Sequence, residues 1–91
     1  MTFEQFQTIV RDFWPNADKS GYFQTYDGLE TGRIYYTWQH QHFGAIAYDS
    51  NDTPKCWYVD NGRGSGAYGN TLEEADKAER AHYEHFINTL A

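Results

Sequence analysis

The chain has 91 residues, a formal net charge of -6 and an aromatic content of 19%. This length allows one small domain and excludes a two-domain enzyme or a barrel of ordinary size. The acidic balance argues against a basic nucleic-acid binder, and a hydrophobic fraction of 40% argues against disorder.

We expect a single α+β domain over residues 1–91 that begins with a helix. Thr2 is suited to cap this helix, with Gln5 in the capping-box position, and Pro15 ends it. The apolar residues recur at helical spacing and are Phe3, Phe6, Ile9, Val10, Phe13 and Trp14. The polar stretch 16–21 predicts a loop after the helix.

Four strands are predicted next in the chain. They cover residues 22–26, 33 to about 40, 43–49 and 55–60, which are rich in aromatic and β-favouring residues. The connection between the first two is expected to run from the Asp27-Gly28 turn to Gly32. Because parallel neighbours need long crossovers, these short connections favour an antiparallel meander.

The last predicted element is a helix that starts after Thr71 and runs towards Leu90. Thr71 and Glu74 have capping-box spacing, and acidic residues fill the first turns, where the helix dipole favours them. Its apolar stripe contains Leu72, Ala75, Tyr83, Phe86, Ile87 and Leu90. The expected architecture is α-β-β-β-β-α, with both helices packed on one face of the meander sheet.

A glycine cluster separates the fourth strand from the last helix. Gly64, Gly66 and Gly69 spell G-x-G-x-x-G, a spacing used in dinucleotide-binding loops. That motif also needs a βαβ unit with an acidic residue on the next strand, which the chain lacks. We therefore interpret the cluster as a connector or contact loop, with Arg63 and Tyr68 as candidate contact residues.

Histidines and one carboxylate define an alternative function, a small metal-binding or hydrolytic protein. Glu79 and His82 have a spacing found in carboxylate-bridged metal sites, and His40 with His42 lie near the second predicted turn. Three-residue spacing on a helix often arises by chance. We therefore assign no metal ligand, no catalytic residue and no cofactor.

Glu79 falls in the middle of the apolar stripe of the last helix, with Asp76 at the edge of that stripe. A carboxylate that faces a core is costly without a partner. The structural interpretation is pairing with a Tyr hydroxyl or Arg33 from the sheet. The functional interpretation is a general acid or base in a cleft. We favour the structural one.

Cys56 is the single cysteine, so no internal disulfide can form. A cysteine within a predicted strand is typical of a buried residue rather than a nucleophile, and we expect no enzyme. The acidic start at Met1–Glu4 does not match a secretory signal, and no run approaches the roughly 18 apolar residues that span a bilayer. We expect a cytoplasmic protein without a membrane partner.

The strands carry more aromatic residues than one sheet face can bury, and tyrosine and tryptophan outside a core are typical of an interface. The alternatives are a bulky small core and an aromatic sheet that binds carbohydrate or another ligand. We predict that a partner binds a surface formed by the open sheet face, the glycine-rich loop and the start of the last helix. The candidate residues are Tyr35, Tyr36, Trp38, Trp57, Tyr58, Arg63, Tyr68, Glu73, Glu74 and Asp76.

These features favour a non-enzymatic protein-interaction module, as a monomer or homodimer, that binds a basic surface of a nucleic-acid-handling protein. In size, charge and composition the chain is similar to small inhibitors of phages and mobile elements, including anti-CRISPR and anti-restriction proteins. With one strand fewer, the element order also resembles the double-stranded-RNA-binding domain. In place of the basic helix start of that family, residues 72–76 contain three acidic residues and no basic one. We therefore expect no direct nucleic-acid binding.

Overall fold

A computed structural model describes residues 1–15, 17–38, 42–62 and 65–90. Side chains are described over the same ranges except at 18–20, 36–38, 42–43 and 83–90. The elements are α1 (Phe3–Phe13), β1 (Ala17–Tyr26), β2 (Leu29–Trp38), β3 (His42–Asp49), a 3₁₀ turn (Ser50–Asp52), β4 (Trp57–Asp60), β5 (Gly66–Gly69) and α2 (Leu72–Leu90).

The five strands form one antiparallel meander in the order β1-β2-β3-β4-β5. The predicted α+β class, with a helix at each end of the chain, is confirmed. Within the described ranges, neither helix is long and apolar enough to cross a membrane.

The fifth strand corrects the interpretation of the glycine cluster as a connector. Asn61 N donates to Ser65 O at 3.1 Å, and Gly62 has a positive φ of 74°, so the chain turns tightly back along β4. Residues Gly66–Gly69 then pair with Trp57–Asp60. Pairing with β4 and cover from α2 outweigh the weak strand propensity of glycine.

The first strand begins earlier than predicted, because residues 17–21 belong to β1 rather than to a loop. The register shifts between Ala17 and Gly21, and Gly21 has a φ of 144°. An irregularity of this kind leaves residues unpaired and bends the strand locally. The β1–β2 hairpin is also tighter than predicted: Tyr26 pairs with Leu29, while Asp27 and Gly28 take positive φ values of 50° and 80°.

Helix α1 has the predicted capping box. Thr2 Oγ1 accepts from Gln5 N at 3.1 Å, and Thr2 N donates to Gln5 Oε1 at 2.8 Å. Phe6 and Val10 are fully buried, whereas Ile9 is exposed, so the buried stripe is narrower than predicted.

The core lies between the sheet and both helices. Ile34, Ile46, Val59 and Ala67 pair across four strands on the covered face. The two helices add Phe6 and Val10 from α1 and Leu72 and Ala75 from α2. Both helices therefore pack on the same face of the sheet, and no described helix covers the opposite face.

Candidate functional site

The helix-free sheet face carries one residue from each strand in a straight line, which we call the central row. Tyr22 pairs with Arg33, Arg33 with Ala47, Ala47 with Tyr58, and Tyr58 with Tyr68. Side chains alternate along a strand, so these residues face away from buried neighbours such as Ile34, Ile46 and Val59.

A concave cavity of about 370 Å³ lies over the central row. Ala47 has the smallest side chain of the central row and forms the floor of the cavity. The longer side chains of Arg33 and Tyr58 lie on either side of it. Asp49 and Asp52 also line the cavity, at the end of β3 and in the turn after it. The volume is near the lower end of small-molecule pockets.

Arg33 is the cation of this cavity. Among the described residues, no carboxylate oxygen lies within 4.0 Å of the Arg33 guanidinium. The ion pairs between described residues are Met1–Glu30 and Arg80–Asp76. Burial raises the pKa of Tyr58, with smaller contributions from Asp60 and Tyr68, and Arg33 acts in the opposite direction. The Tyr58 phenol is therefore protonated at neutral pH.

Gly66 determines where the Tyr58 ring lies. A Cβ at Gly66 would overlap the Tyr58 hydroxyl and lie 2.7 Å from its Cζ. The ring thus extends over β5 and packs against Tyr68, with centroids 4.6 Å apart.

We expect the substitution Gly66→Ala to displace the Tyr58 ring at a cost of about 1 kcal/mol, because the atoms it overlaps belong to a movable side chain. Ring-to-ring nuclear Overhauser effects between Tyr58 and Tyr68 should weaken, and urea unfolding gives the stability change. The exposed Asn70→Ala substitution is the control. Unchanged ring contacts in Gly66→Ala would show that Gly66 does not position Tyr58.

The open face contains three of the predicted aromatic contact residues. Tyr35 is 43% exposed, Tyr68 is 54% exposed and Tyr58 is half-buried in the central row. Trp57 was expected on the contact surface, and this is wrong: it is 8% exposed and its ring stacks on Phe6 at 5.8 Å. Trp57 alternates with Tyr58 and so faces the helices.

Other predicted contact residues lie outside the described part of the chain. Arg63 is one of them, and the side chains of Tyr36 and Trp38 are as well. The backbones of these two residues pair with Gly44 and His42 on β3.

Two of the three predicted acidic contact residues are exposed at the start of α2. Glu74 N donates to Thr71 Oγ1 at 3.1 Å, as predicted, but Glu74 Oε2 accepts from Asn70 N at 3.0 Å rather than from Thr71. Glu73 is exposed beside it. At the start of α2, Glu73 is therefore an exposed carboxylate, and Glu74 also caps the helix.

Asp76 was expected on the same acidic surface, and this is wrong. It is 6% exposed, and its Oδ2 accepts from Arg80 Nε at 2.7 Å. Arg80 lies four residues later, one helical turn away, and also over the Trp14 ring. This local ion pair compensates the burial of the carboxylate.

Glu79 lies in the helix–sheet interior, as the helical wheel predicts, with 6% exposure. Its Oε1 has no hydrogen-bond partner among the described residues. Burial raises the pKa of Glu79, the nearby Asp76 raises it further, and Asn61 and Arg80 act in the opposite direction. Arg33 is not the partner suggested by the sequence, because it lies on the opposite sheet face.

The described part of the structure does not bring together the residues of the alternative metal site, Glu79 and His82 with His40 and His42. His82 is exposed, with Nδ1 3.3 Å from Gly66 O, while Glu79 is buried. His40 lies outside the described residues, as does the side chain of His42. Among the residues described, no group of three or more His, Cys, Asp or Glu could hold a metal ion.

Sequence reasoning missed the floor and one end of the cavity. Ala45 and Ala47 alternate with buried Ile46, and small residues at every second position of a strand create a trough on one face. That pattern is visible in the sequence. The contribution of Asp52 depends on the turn after β3 and has no comparable signal.

Comparison with models of known protein families finds no match, and comparisons with curated proteins and solved structures find no significant match either. The site is therefore interpreted from its own chemistry.

Proposed function

We propose that the protein is a non-enzymatic interaction module that binds another protein through its open sheet face. The observation that carries this proposal is the exposure of tyrosines on the face without helices: Tyr22 is 47% exposed, Tyr35 43% and Tyr68 54%. Tyrosine offers a large contact area with a polar end at low entropic cost, and it is enriched in interface hot spots.

The charges on this face favour a basic partner. Asp49 and Asp52 line the cavity on this face, and Arg33 is the cation among the described residues that line it. An arginine side chain of a partner can stack on a tyrosine ring and pair with an adjacent carboxylate. The net charge of -6 would also speed the encounter with such a surface.

A basic groove that normally holds nucleic acid is the partner surface that this chemistry fits best. The module would then act as an inhibitor, since its carboxylates would occupy positions otherwise taken by phosphates. Heparin, a polyanion, should compete with the module for such a groove.

We expect the double substitution Tyr35→Ala, Tyr68→Ala to weaken partner binding at least about tenfold, because both rings lose their contact area. Partners captured from a lysate of the source cells by the wild type are identified, and their affinities for each variant are measured by calorimetry. Ile9→Ala is the control, because Ile9 is 39% exposed on α1, on the other side of the sheet.

Circular dichroism confirms that each variant remains folded. The proposal is wrong if the double variant retains wild-type affinity. It is also wrong if heparin does not reduce binding. Loss of binding in Ile9→Ala as well would show that the contact is not on the open sheet face.

A further inference from the structure

The geometry points to a small-molecule site in the cavity over Ala47, where a zwitterion binds with its carboxylate at Arg33 and its ammonium group at Asp49 and Asp52. This site lies on the same open sheet face as the proposed protein contact, but a small molecule can bind there whether or not a partner protein does. Opposite charges at two positions of one concave surface are the basis of the assignment.

Arg33 is suited to hold the carboxylate. Its planar guanidinium presents paired donors that match a carboxylate, and none of the described carboxylates lies within 4.0 Å of it. The Tyr58 side chain also lines the cavity, on the far side of Ala47 from Arg33.

The aspartates are suited to hold the ammonium group. Asp49 uses Oδ1 to accept from Asn51 N at 2.9 Å, which fixes the side chain and leaves its second oxygen to accept from a ligand. Asp52 is exposed in the turn that follows and lines the same cavity.

Arg33 and Asp49 lie close together on the open face without pairing. Arg33 pairs with Ala47, and Asp49 stands two residues further along β3. Such diagonal neighbours have Cα atoms about 7–8 Å apart. Among the described residues, no ion pair within 4.0 Å joins their side chains, and both are within reach of one short molecule lying over Ala47.

A mixed lining selects against ligands of a single charge. A simple anion would gain Arg33 but meet the aspartates, and a simple cation would meet Arg33. A molecule with both groups satisfies both ends and covers the small Ala47 floor, and Tyr22 and Tyr68 also line the cavity.

Three nearly isosteric probes test the assignment in the isolated chain: 4-aminobutyrate, butyrate and n-butylamine. Nuclear magnetic resonance titration of the backbone amides detects millimolar affinities. We expect 4-aminobutyrate to shift the resonances of the central row and to bind on the order of tenfold more tightly than either single-charge probe.

Variants assign the two ends separately. Arg33→Gln should reduce the affinity for 4-aminobutyrate to that of n-butylamine, and Asp49→Asn with Asp52→Asn should reduce it to that of butyrate. Asn at position 49 retains an oxygen for the Asn51 bond. Arg11→Gln is the control, because it removes the same charge from α1 on the other side of the sheet.

The inference is overturned if 4-aminobutyrate leaves the central-row resonances unchanged. It is also overturned if butyrate or n-butylamine binds equally well, or if Arg11→Gln weakens binding as much as Arg33→Gln. None of these outcomes depends on partner capture, so the protein-binding proposal can fail or succeed independently.

Discussion

Replacing Gly69 by valine is expected to destabilise the fold by about 3 kcal/mol, the largest effect of any single substitution proposed for this chain. A Cβ at Gly69 would overlap Ala75 N and lie 2.9 Å from both Ala75 Cα and Glu74 C. These are backbone atoms of the first turns of α2. They cannot move aside as a side chain can, so the whole helix must shift away from β5.

Urea unfolding followed by circular dichroism measures the loss. Tyr68→Val is the matched control, since it places valine on the neighbouring residue of the same strand, on the open face away from α2. A change of less than about 1 kcal/mol in Gly69→Val would mean that α2 does not approach β5 as closely as the structure indicates.

This contact gives the glycine spacing a structural meaning. Gly66 makes room for the Tyr58 ring on the open face, and Gly69 makes room for α2 on the covered face. Gly64 lies outside the described residues. Two of the three glycines are thus explained by close packing, without a bound nucleotide.

The elements that the sequence predicts well are those whose signals are local. The α1 capping box depends on residues three positions apart, and so does the Thr71–Glu74 hydrogen bond. The order of the central strands follows from short turns. By contrast, β5 and the start of β1 form only because a neighbouring strand pairs with them, which local propensity does not encode.

The sequence predicts which side chains of the candidate site share a sheet face, but not which of the two faces is exposed. The sequence separates Trp57 from Tyr58 by side-chain direction, yet nothing local says which face the helices cover. That choice depends on the packing of Phe6 and Val10 against the sheet. The prediction that Asp76 lies on the contact surface is wrong for a related reason. Its partner Arg80 allows a carboxylate at the edge of the apolar stripe to be buried.

Glu79 carries the second large expected effect, a loss of stability with rising pH. Its Oε1 lacks a hydrogen-bond partner among the described residues. Burial and the charge of Asp76 raise the pKa of Glu79 more than side-chain hydrogen bonding with Asn61 and the charge of Arg80 lower it. The titratable groups around it are Asp76 and Arg80 on α2 and Asp60 on β4. The two carboxylates oppose its ionisation, and Arg80 is already paired with Asp76.

The sign of the effect follows from proton binding. The pKa of Glu79 in the folded protein lies above its ordinary value of 4.5. Between these two values the folded state holds a proton that the unfolded state has released. The free energy of unfolding therefore falls as pH rises from about 4.5 through the folded pKa, and it stays lower above that point.

The substitution Glu79→Gln tests this directly, because glutamine has nearly the same shape as the protonated acid and cannot ionise. We expect the variant to be about 1–3 kcal/mol more stable than the wild type at neutral pH, and the difference to disappear below the ordinary glutamate pKa. Urea unfolding at a series of pH values measures both stabilities. The exposed Glu73→Gln on the same helix should show no such divergence. If Glu79→Gln is less stable than the wild type at neutral pH, the ionised carboxylate has a favourable partner and the fold tolerates its charge.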